Sequence, residues 1–216
     1  MHKIELACEN LEKSFSNKLI FKNLSFKLTN SSSLVITGRN GTGKSTLIKV
    51  LSNLIRESNG KKHITINDKL IESDQQYLSL GLIAPYLNLY DELTGYENIE
   101  FFYNLKFKRN NKSKKDNIDD KLKYLLEKVN LYKRRNDLLK NYSSGMKQRL
   151  KLAFAVLNDP LILLMDEPRT NLDEDGINVV YGIAEKQKEN GILIIATNEH
   201  EDTKLCDESI NIENYK

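Results

Sequence analysis

The chain has 216 residues, enough for one large α/β domain or for one domain carrying an insert, and its 39% apolar residues supply a sizeable core. A formal net charge of only +3 excludes an electrostatic case for nucleic-acid binding, so no nucleic-acid partner is expected. No stretch approaches the roughly 18 apolar residues of a membrane span, residues 1–5 lack a signal-peptide core, and Cys8 and Cys206 lack metal-ligand or disulfide spacing, so a reducing, cytoplasmic setting is expected.

In chain order, residues 2–8 and 19–28 alternate or run apolar as strands do, and Ile64-Thr65-Ile66 precedes a turn at Asn67-Asp68. These segments predict a small antiparallel sheet beside the main core. Leu34-Val35-Ile36 is a buried strand, followed by a glycine-rich loop and a helix, the whole unit ending by about residue 55. Leu80-Gly81-Leu82-Ile83 reads as a further core strand. From 86 to 141 the chain turns helical, charged and aromatic, with apolar residues at helical spacing over Tyr96–Phe107 and Ile118–Val129. The basic stretches 106–109 and 112–115 fit a solvated loop, with anionic lipid or nucleic acid as the alternative. A helix then spans Ser144–Asn158, a strand Leu161–Met165, a helix from about Asp173, and a strand Ile192–Ala196. Apolar strands alternating with helices predict an α/β fold with a mainly parallel sheet covered on both faces.

The loop Gly38-Arg39-Asn40-Gly41-Thr42-Gly43-Lys44-Ser45 fits G-x-x-x-x-G-K-[ST] between a strand and a helix. In that setting successive backbone N–H groups point inward at phosphates, and the helix start at Ser45-Thr46 adds free N–H groups and its positive dipole end. Glycines permit close backbone approach, Lys44 contributes charge, and the Ser45 hydroxyl can ligate Mg²⁺. The loop therefore predicts binding of a nucleoside triphosphate.

Asp166-Glu167-Pro168 follows the apolar run 161–165 directly. An acidic pair at the carboxyl end of a parallel strand lies where such sheets bind ligands. Asp166 is placed to hold Mg²⁺ opposite Ser45, and Glu167 to polarise a water in line with the γ-phosphate. Alone, the pair would fit an acidic cap after a buried strand equally well.

Taken in order, these motifs resemble the nucleotide-binding subunit of an ATP-binding-cassette (ABC) transporter over essentially the whole chain. Phe15 stands where that family has an aromatic stacking on adenine, although by itself it fits a core aromatic. Leu93-Thr94 with Glu97-Asn98 matches the entry to the family's helical subdomain. Tyr142-Ser143-Ser144-Gly145-Met146-Lys147-Gln148-Arg149 resembles the signature motif, and Asn171-Leu172-Asp173 the D-loop. By themselves Ser143, Ser144 and Gly145 fit a helix cap. The resemblance implies that they bind the γ-phosphate of ATP held by a second subunit, in a head-to-tail homo- or heterodimer. It further implies a P-loop core over 1–85 and 142–216, with its antiparallel β part, and a helical subdomain over 86–141. ATP and Mg²⁺ are the expected cofactors. The chain is expected on the inner face of the membrane, bound to a membrane-spanning subunit through Tyr86–Asn98. Its compact length is similar to small cassette subunits such as those of haem export.

Three positions depart from the family pattern. Pro85 stands where a Gln usually contacts Mg²⁺ and the attacking water, and proline has no side-chain donor or acceptor. Asn198 follows Thr197 where a His is usual; its amide can still donate to a γ-phosphate but cannot carry a proton. Tyr-Ser-Ser-Gly-Met replaces Leu-Ser-Gly-Gly-Gln. With Glu167 present, ATP hydrolysis is the leading expectation, Glu167 and Asn198 being its catalytic residues. A regulatory cassette with little turnover and a soluble repair or translation ATPase are the alternatives; the latter is disfavoured by the absence of coiled-coil heptads.

Overall fold

The computed structural model describes residues 2–16, 18–107 and 116–216. Strands β1 (Ile4–Phe15) and β2 (Lys18–Thr29) form an antiparallel hairpin. Ile4, Leu6, Cys8 and Leu11 of the first strand and Phe21, Leu24 and Leu28 of the second point to one buried face. Next come β3 (Ser33–Thr37) and α1 (Lys44–Leu51), a shorter helix than expected. Strands β4 (Asn59–Ile66) and β5 (Lys69–Leu70) are joined by Asn67 and Asp68, both at positive φ (52° and 61°) as a two-residue hairpin requires. The order β2-β1-β4-β5 is the expected antiparallel sheet.

Strand β6 (Leu80–Ile83) returns the chain to the core, and α2 (Gly95–Phe107) and α3 (Asp116–Lys128) follow. The start of α2 is set by a capping box. Thr94 N donates to Glu97 Oε2 at 2.8 Å, and Glu97 N donates to Thr94 Oγ1 at 3.1 Å. Those bonds to Thr94 hold the Glu97 carboxyl below its ordinary range. Asn98 is fully buried: its amide donates to the Tyr90 and Thr94 carbonyls while its oxygen accepts from Tyr90 N, so one side chain holds the incoming loop. The remaining elements are α4 (Ser144–Val156), β7 (Ile162–Asp166), α5 (Glu174–Asn190), β8 (Ile192–Ala196), α6 (His200–Thr203) and β9 (Glu208–Asn211). The side chains of the basic stretches 106–109 and 112–115 lie outside the described residues.

The main sheet is parallel, in the order β6-β7-β8-β3-β9. Its central strands carry apolar residues at consecutive positions because the two faces feed different cores. Leu163, Met165, Leu193 and Ile195 pack with the helical side, whereas Ile162, Leu164, Ile192 and Ile194 pack with α1 and the antiparallel sheet. Strand β9 was not anticipated. It is an edge strand reading Glu-Ser-Ile-Asn, with Ile210 its only buried residue, so it carries no apolar run. Parallel register brings the carboxyl ends of β6, β7, β8 and β3 to one edge, where the candidate residues collect.

Candidate functional site

The loop between β3 and α1 is shaped by its glycines. Gly38 (φ 138°) and Gly43 (φ 117°) adopt backbone conformations that side chains disfavour. A Cβ on Gly43 would meet Ile20 Cγ2 at 2.4 Å, so β2 of the antiparallel sheet closes against the loop. Thr42 Oγ1 donates to the Arg39 carbonyl at 2.7 Å, and Arg39 N donates to Glu213 Oε1 at 2.8 Å. Arg39, Asn40 and Gly41 are exposed, while Thr46 is half-buried in the first turn of α1.

Lys44 is buried, and its ammonium donates to the Gly38 carbonyl at 2.7 Å and to Asn198 Oδ1 at 2.7 Å. Glu167 Oε1 lies 3.8 Å from the same ammonium. The Asn198 amide in turn donates to Asn40 Oδ1. Asn198 thus sits against the loop between β3 and α1, bonded to it through both ends of its amide. His200 is exposed in α6.

Ser45 Oγ donates to Asp166 Oδ1 at 3.1 Å. Asp166 is fully buried at the end of β7, and its Oδ2 has no hydrogen-bond partner among the described residues. Burial raises the Asp166 carboxyl above its ordinary range, opposed by Ser45, Lys44, Lys49 and Tyr86. A buried carboxylate with one oxygen free, beside a hydroxyl at the start of a helix, fits Mg²⁺. That ion takes one or two protein oxygens and completes its shell with water and phosphate. Among the described residues no group of three or more His, Cys, Asp or Glu could hold a metal, so a dedicated all-protein cage is absent there.

Glu167 adopts φ 46°, a sparsely populated conformation for a non-glycine residue, and its N–H donates to the Ala196 carbonyl at 2.8 Å. The bend turns its side chain toward Lys44. Burial raises the Glu167 carboxyl, with Lys44 pulling it back down. Beyond it, Arg169 lies 3.6 Å from the buried Asp202, which accepts from Thr197 Oγ1 at 2.8 Å. That network ties the acidic loop to the turn carrying Asn198.

Ser143 caps α4, its Oγ accepting from Met146 N at 3.2 Å, and Ser143 and Ser144 are exposed. The capping reading is therefore realised, and it leaves the helix start facing solvent. A Cβ on Gly145 would come within 2.8 Å of the Asn171 carbonyl, and Gln148 Nε2 donates to the Pro168 carbonyl at 3.2 Å. The signature helix thus rests on the loop that follows Glu167. Asp173 caps α5 by accepting from Gly176 N at 2.9 Å. Phe15, 47% exposed beneath the Lys13 ammonium (4.7 Å), is not a core aromatic.

Two contributors escaped the sequence reading. Glu213 binds the loop through Arg39 from beyond β9, with no motif to mark it. Tyr86, expected on an outer docking surface, instead has its hydroxyl buried beside Asp166; its position directly after the strand that pairs with β7 was the available signal.

A family model described as "ABC transporter" matches residues 21–170. The linearmycin resistance ATP-binding protein LnrL of Bacillus subtilis (strain 168) is 31% identical over 94% of the chain, which spans only 64% of that protein's length. The cytochrome c biogenesis ATP-binding export protein CcmA of Mannheimia succiniciproducens is 28% identical over 98% of the chain and 93% of that protein. A solved dimeric ATP-binding cassette, in a post-hydrolysis state with ADP and Pi, superposes with a TM-score of 0.83 at 20% identity, covering 96% of this chain and 94% of that one.

Proposed function

The chain belongs to the ABC transporter family, and we propose that it is an ATP-binding, ATP-hydrolysing cassette whose site works as a magnesium-dependent ATPase driving a separate membrane subunit. The observation that carries this reading is the convergence of five side chains from β3–α1, β7 and β8. Ser45 meets Asp166 at 3.1 Å, and Lys44 meets both Asn198 (2.7 Å) and Glu167 (3.8 Å).

In this reading the backbone N–H groups of residues 38–46 and the Lys44 ammonium receive the β- and γ-phosphates, with the Phe15 ring available to adenine. Ser45 and Asp166 would hold Mg²⁺, which when bound would supply positive charge against the phosphates. Glu167, its carboxyl raised by burial, accepts the proton of a water in line with the γ-phosphate. On ATP binding the Asn198 N–H₂ exchanges its contact with Asn40 for one to the γ-phosphate. The exposed start of α4, with Ser143, Ser144 and Gly145, is complementary to the γ-phosphate of a second, head-to-tail subunit. Asp173 lies on the loop that would meet that subunit.

The same reading divides the chain into a nucleotide-binding core (1–85 and 142–216) and a helical subdomain (86–141). In this reading the membrane subunit docks along residues 86–98, through side chains other than Tyr86, whose hydroxyl is buried, and the fully buried Asn98. An open groove of about 340 Å³ is lined by Leu54, Tyr77, Leu82, Phe102, Leu105 and Phe154, and Phe102 of its wall stacks on the Tyr90 ring of that segment at 5.9 Å between centroids. Among the described residues no helix is long and apolar enough to cross a membrane, so in this reading the partner supplies the spanning segments.

The test is magnesium-dependent ATP hydrolysis by the purified protein beside Glu167→Gln, with light scattering on the same samples. The expected result is turnover in the wild type and an ATP-trapped dimer without turnover in the variant. Wild-type turnover in Glu167→Gln would overturn the mechanism.

A further inference from the structure

Strands β6 and β7 run parallel with Ile83 opposite Met165, so the chain leaving β6 emerges beside Asp166. There Leu87 N donates to the Ala84 carbonyl at 3.2 Å, making a tight turn with Pro85 and Tyr86 at its centre. Pro85 faces outward, and its carbonyl accepts from Lys151 Nζ at 3.0 Å. Tyr86 faces inward. Lys49, one helical turn after Ser45 on the same side of α1, places its ammonium 4.2 Å from the centre of the Tyr86 ring. The ring is thereby held against α1.

That hydroxyl is buried next to the Asp166 carboxylate, close enough for each to shift the other's protonation, yet among the described residues neither Tyr86 Oη nor Asp166 Oδ2 has a partner in full hydrogen-bond geometry. Among the described residues, Tyr86 Oη and Asp166 Oδ2 are two of only four buried side-chain polar atoms without a partner. Native proteins rarely leave such groups unpaired, and where they do, an ion or ordered water is a recurring reason. Both orphans lie at one spot, on the free side of the carboxylate whose other oxygen is bound by Ser45. The Asp166 carboxylate is therefore flanked by an aliphatic hydroxyl at one oxygen and has a phenol beside it.

We propose that Tyr86 is a positioning residue of the magnesium site, its hydroxyl donating to Asp166 Oδ2 while accepting a hydrogen bond from a metal-bound water. The inference rests on the ATPase reading above and assigns to Tyr86 the polar contact that Pro85 lacks. Mg²⁺ surrenders its waters reluctantly, so a site with few protein ligands depends on groups that orient those waters. A phenol is suited to this, being neutral, able to donate and accept at once, and fixed by its ring. Removing such an outer-shell partner commonly weakens metal affinity about 10- to 100-fold.

The experiment is Mn²⁺ binding, followed by electron paramagnetic resonance, to the purified protein saturated with a non-hydrolysable ATP analogue. Wild type, Tyr86→Phe and Asp166→Asn are compared, and analogue binding without metal is measured beside them. Tyr86→Phe removes one oxygen and keeps the ring under Lys49. It is expected to bind Mn²⁺ about tenfold or more weakly with metal-free analogue binding unchanged. Wild-type Mn²⁺ affinity in Tyr86→Phe, with affinity lost in Asp166→Asn, overturns the role of Tyr86 and leaves the ATPase site standing. Wild-type affinity in both variants overturns the metal site itself and this inference with it. A second pair separates polarity from packing: Tyr86→Gln should retain more Mn²⁺ affinity than Tyr86→Leu, and equal affinities would reduce Tyr86 to a packing residue.

Discussion

The Lys44 ammonium donates to the Asn198 side-chain oxygen at 2.7 Å, joining the phosphate loop to the end of β8. One face of the Asn198 amide is thereby spent on lysine and the other on Asn40. An amide can rotate to present its N–H₂ to an incoming phosphate, and in the proposed function Asn198 does so.

Asn198→Ala should therefore lower the hydrolysis rate by about a hundredfold, the usual loss for one donor to a developing oxyanion. The affinity for ATP should change much less, since the loop N–H groups and Lys44 remain. Steady-state kinetics and equilibrium binding on the same preparation separate the two effects. An unchanged turnover number would remove Asn198 from the chemistry.

The rate should also depend on pH through Glu167. Burial lifts this carboxyl above its ordinary value of 4.5, with Lys44 acting in the opposite direction. As a base it must be ionised, so turnover should fall as pH decreases through that raised value, earlier than an exposed glutamate would require. A rate profile flat down to the ordinary glutamate range would contradict the assignment.

Asp166 carries the matching stability signature. Its carboxyl is also raised, chiefly by burial. Between the ordinary and the raised value the folded protein binds more protons than the unfolded chain, so stability falls as pH rises through the folded pKa. Asp166→Asn removes that dependence. It should melt at a higher temperature than wild type at neutral pH without nucleotide, the gap closing as the pH falls through the raised range.

Gly43→Ala should damage loop and fold together. The new Cβ would sit 2.4 Å from Ile20 Cγ2 at φ 117°. Strain of about 1–3 kcal/mol corresponds to a fall in melting temperature of about 2–10 °C for a domain of this size. Nucleotide binding should be lost as the loop shifts. Gly41→Ala meets no atom within 4 Å and should be the milder change. Thermal denaturation and ATP binding measured on both variants check the order.

Asn98→Ala should destabilise without touching the phosphate site. Its side chain bonds Tyr90 through both N–H and carbonyl and also reaches Thr94, all in a fully buried position. Stranding these groups costs about 2–3 kcal/mol, or roughly 5 °C and more in melting temperature. Nucleotide affinity below the melting transition should be unchanged.

What the sequence determined by itself was whatever depends on neighbours along the chain. The loop Gly38–Ser45 is legible because its glycines, Lys44 and Ser45 are close neighbours along the chain, between a run of apolar residues and a helix. Asp166 and Glu167 are legible because they follow five apolar positions directly, and Ser143 and Asp173 because a cap is a matter of three or four residues. The antiparallel hairpins and the parallel core strands followed from period and turn chemistry in the same way.

Only the tertiary structure decided the strand order, the edge strand β9, the pairing of Lys44 with Asn198 and the inward turn of Tyr86. Each depends on which segments far apart in the chain become neighbours when the two faces of the sheet are buried. Tyr86 reads in sequence as one of several aromatics in an exposed-looking stretch. The register of β6 on β7, and the ammonium of Lys49 over its ring, turn it toward Asp166. Periodicity records how a residue faces its own element; it carries no record of what the opposing element brings to meet it.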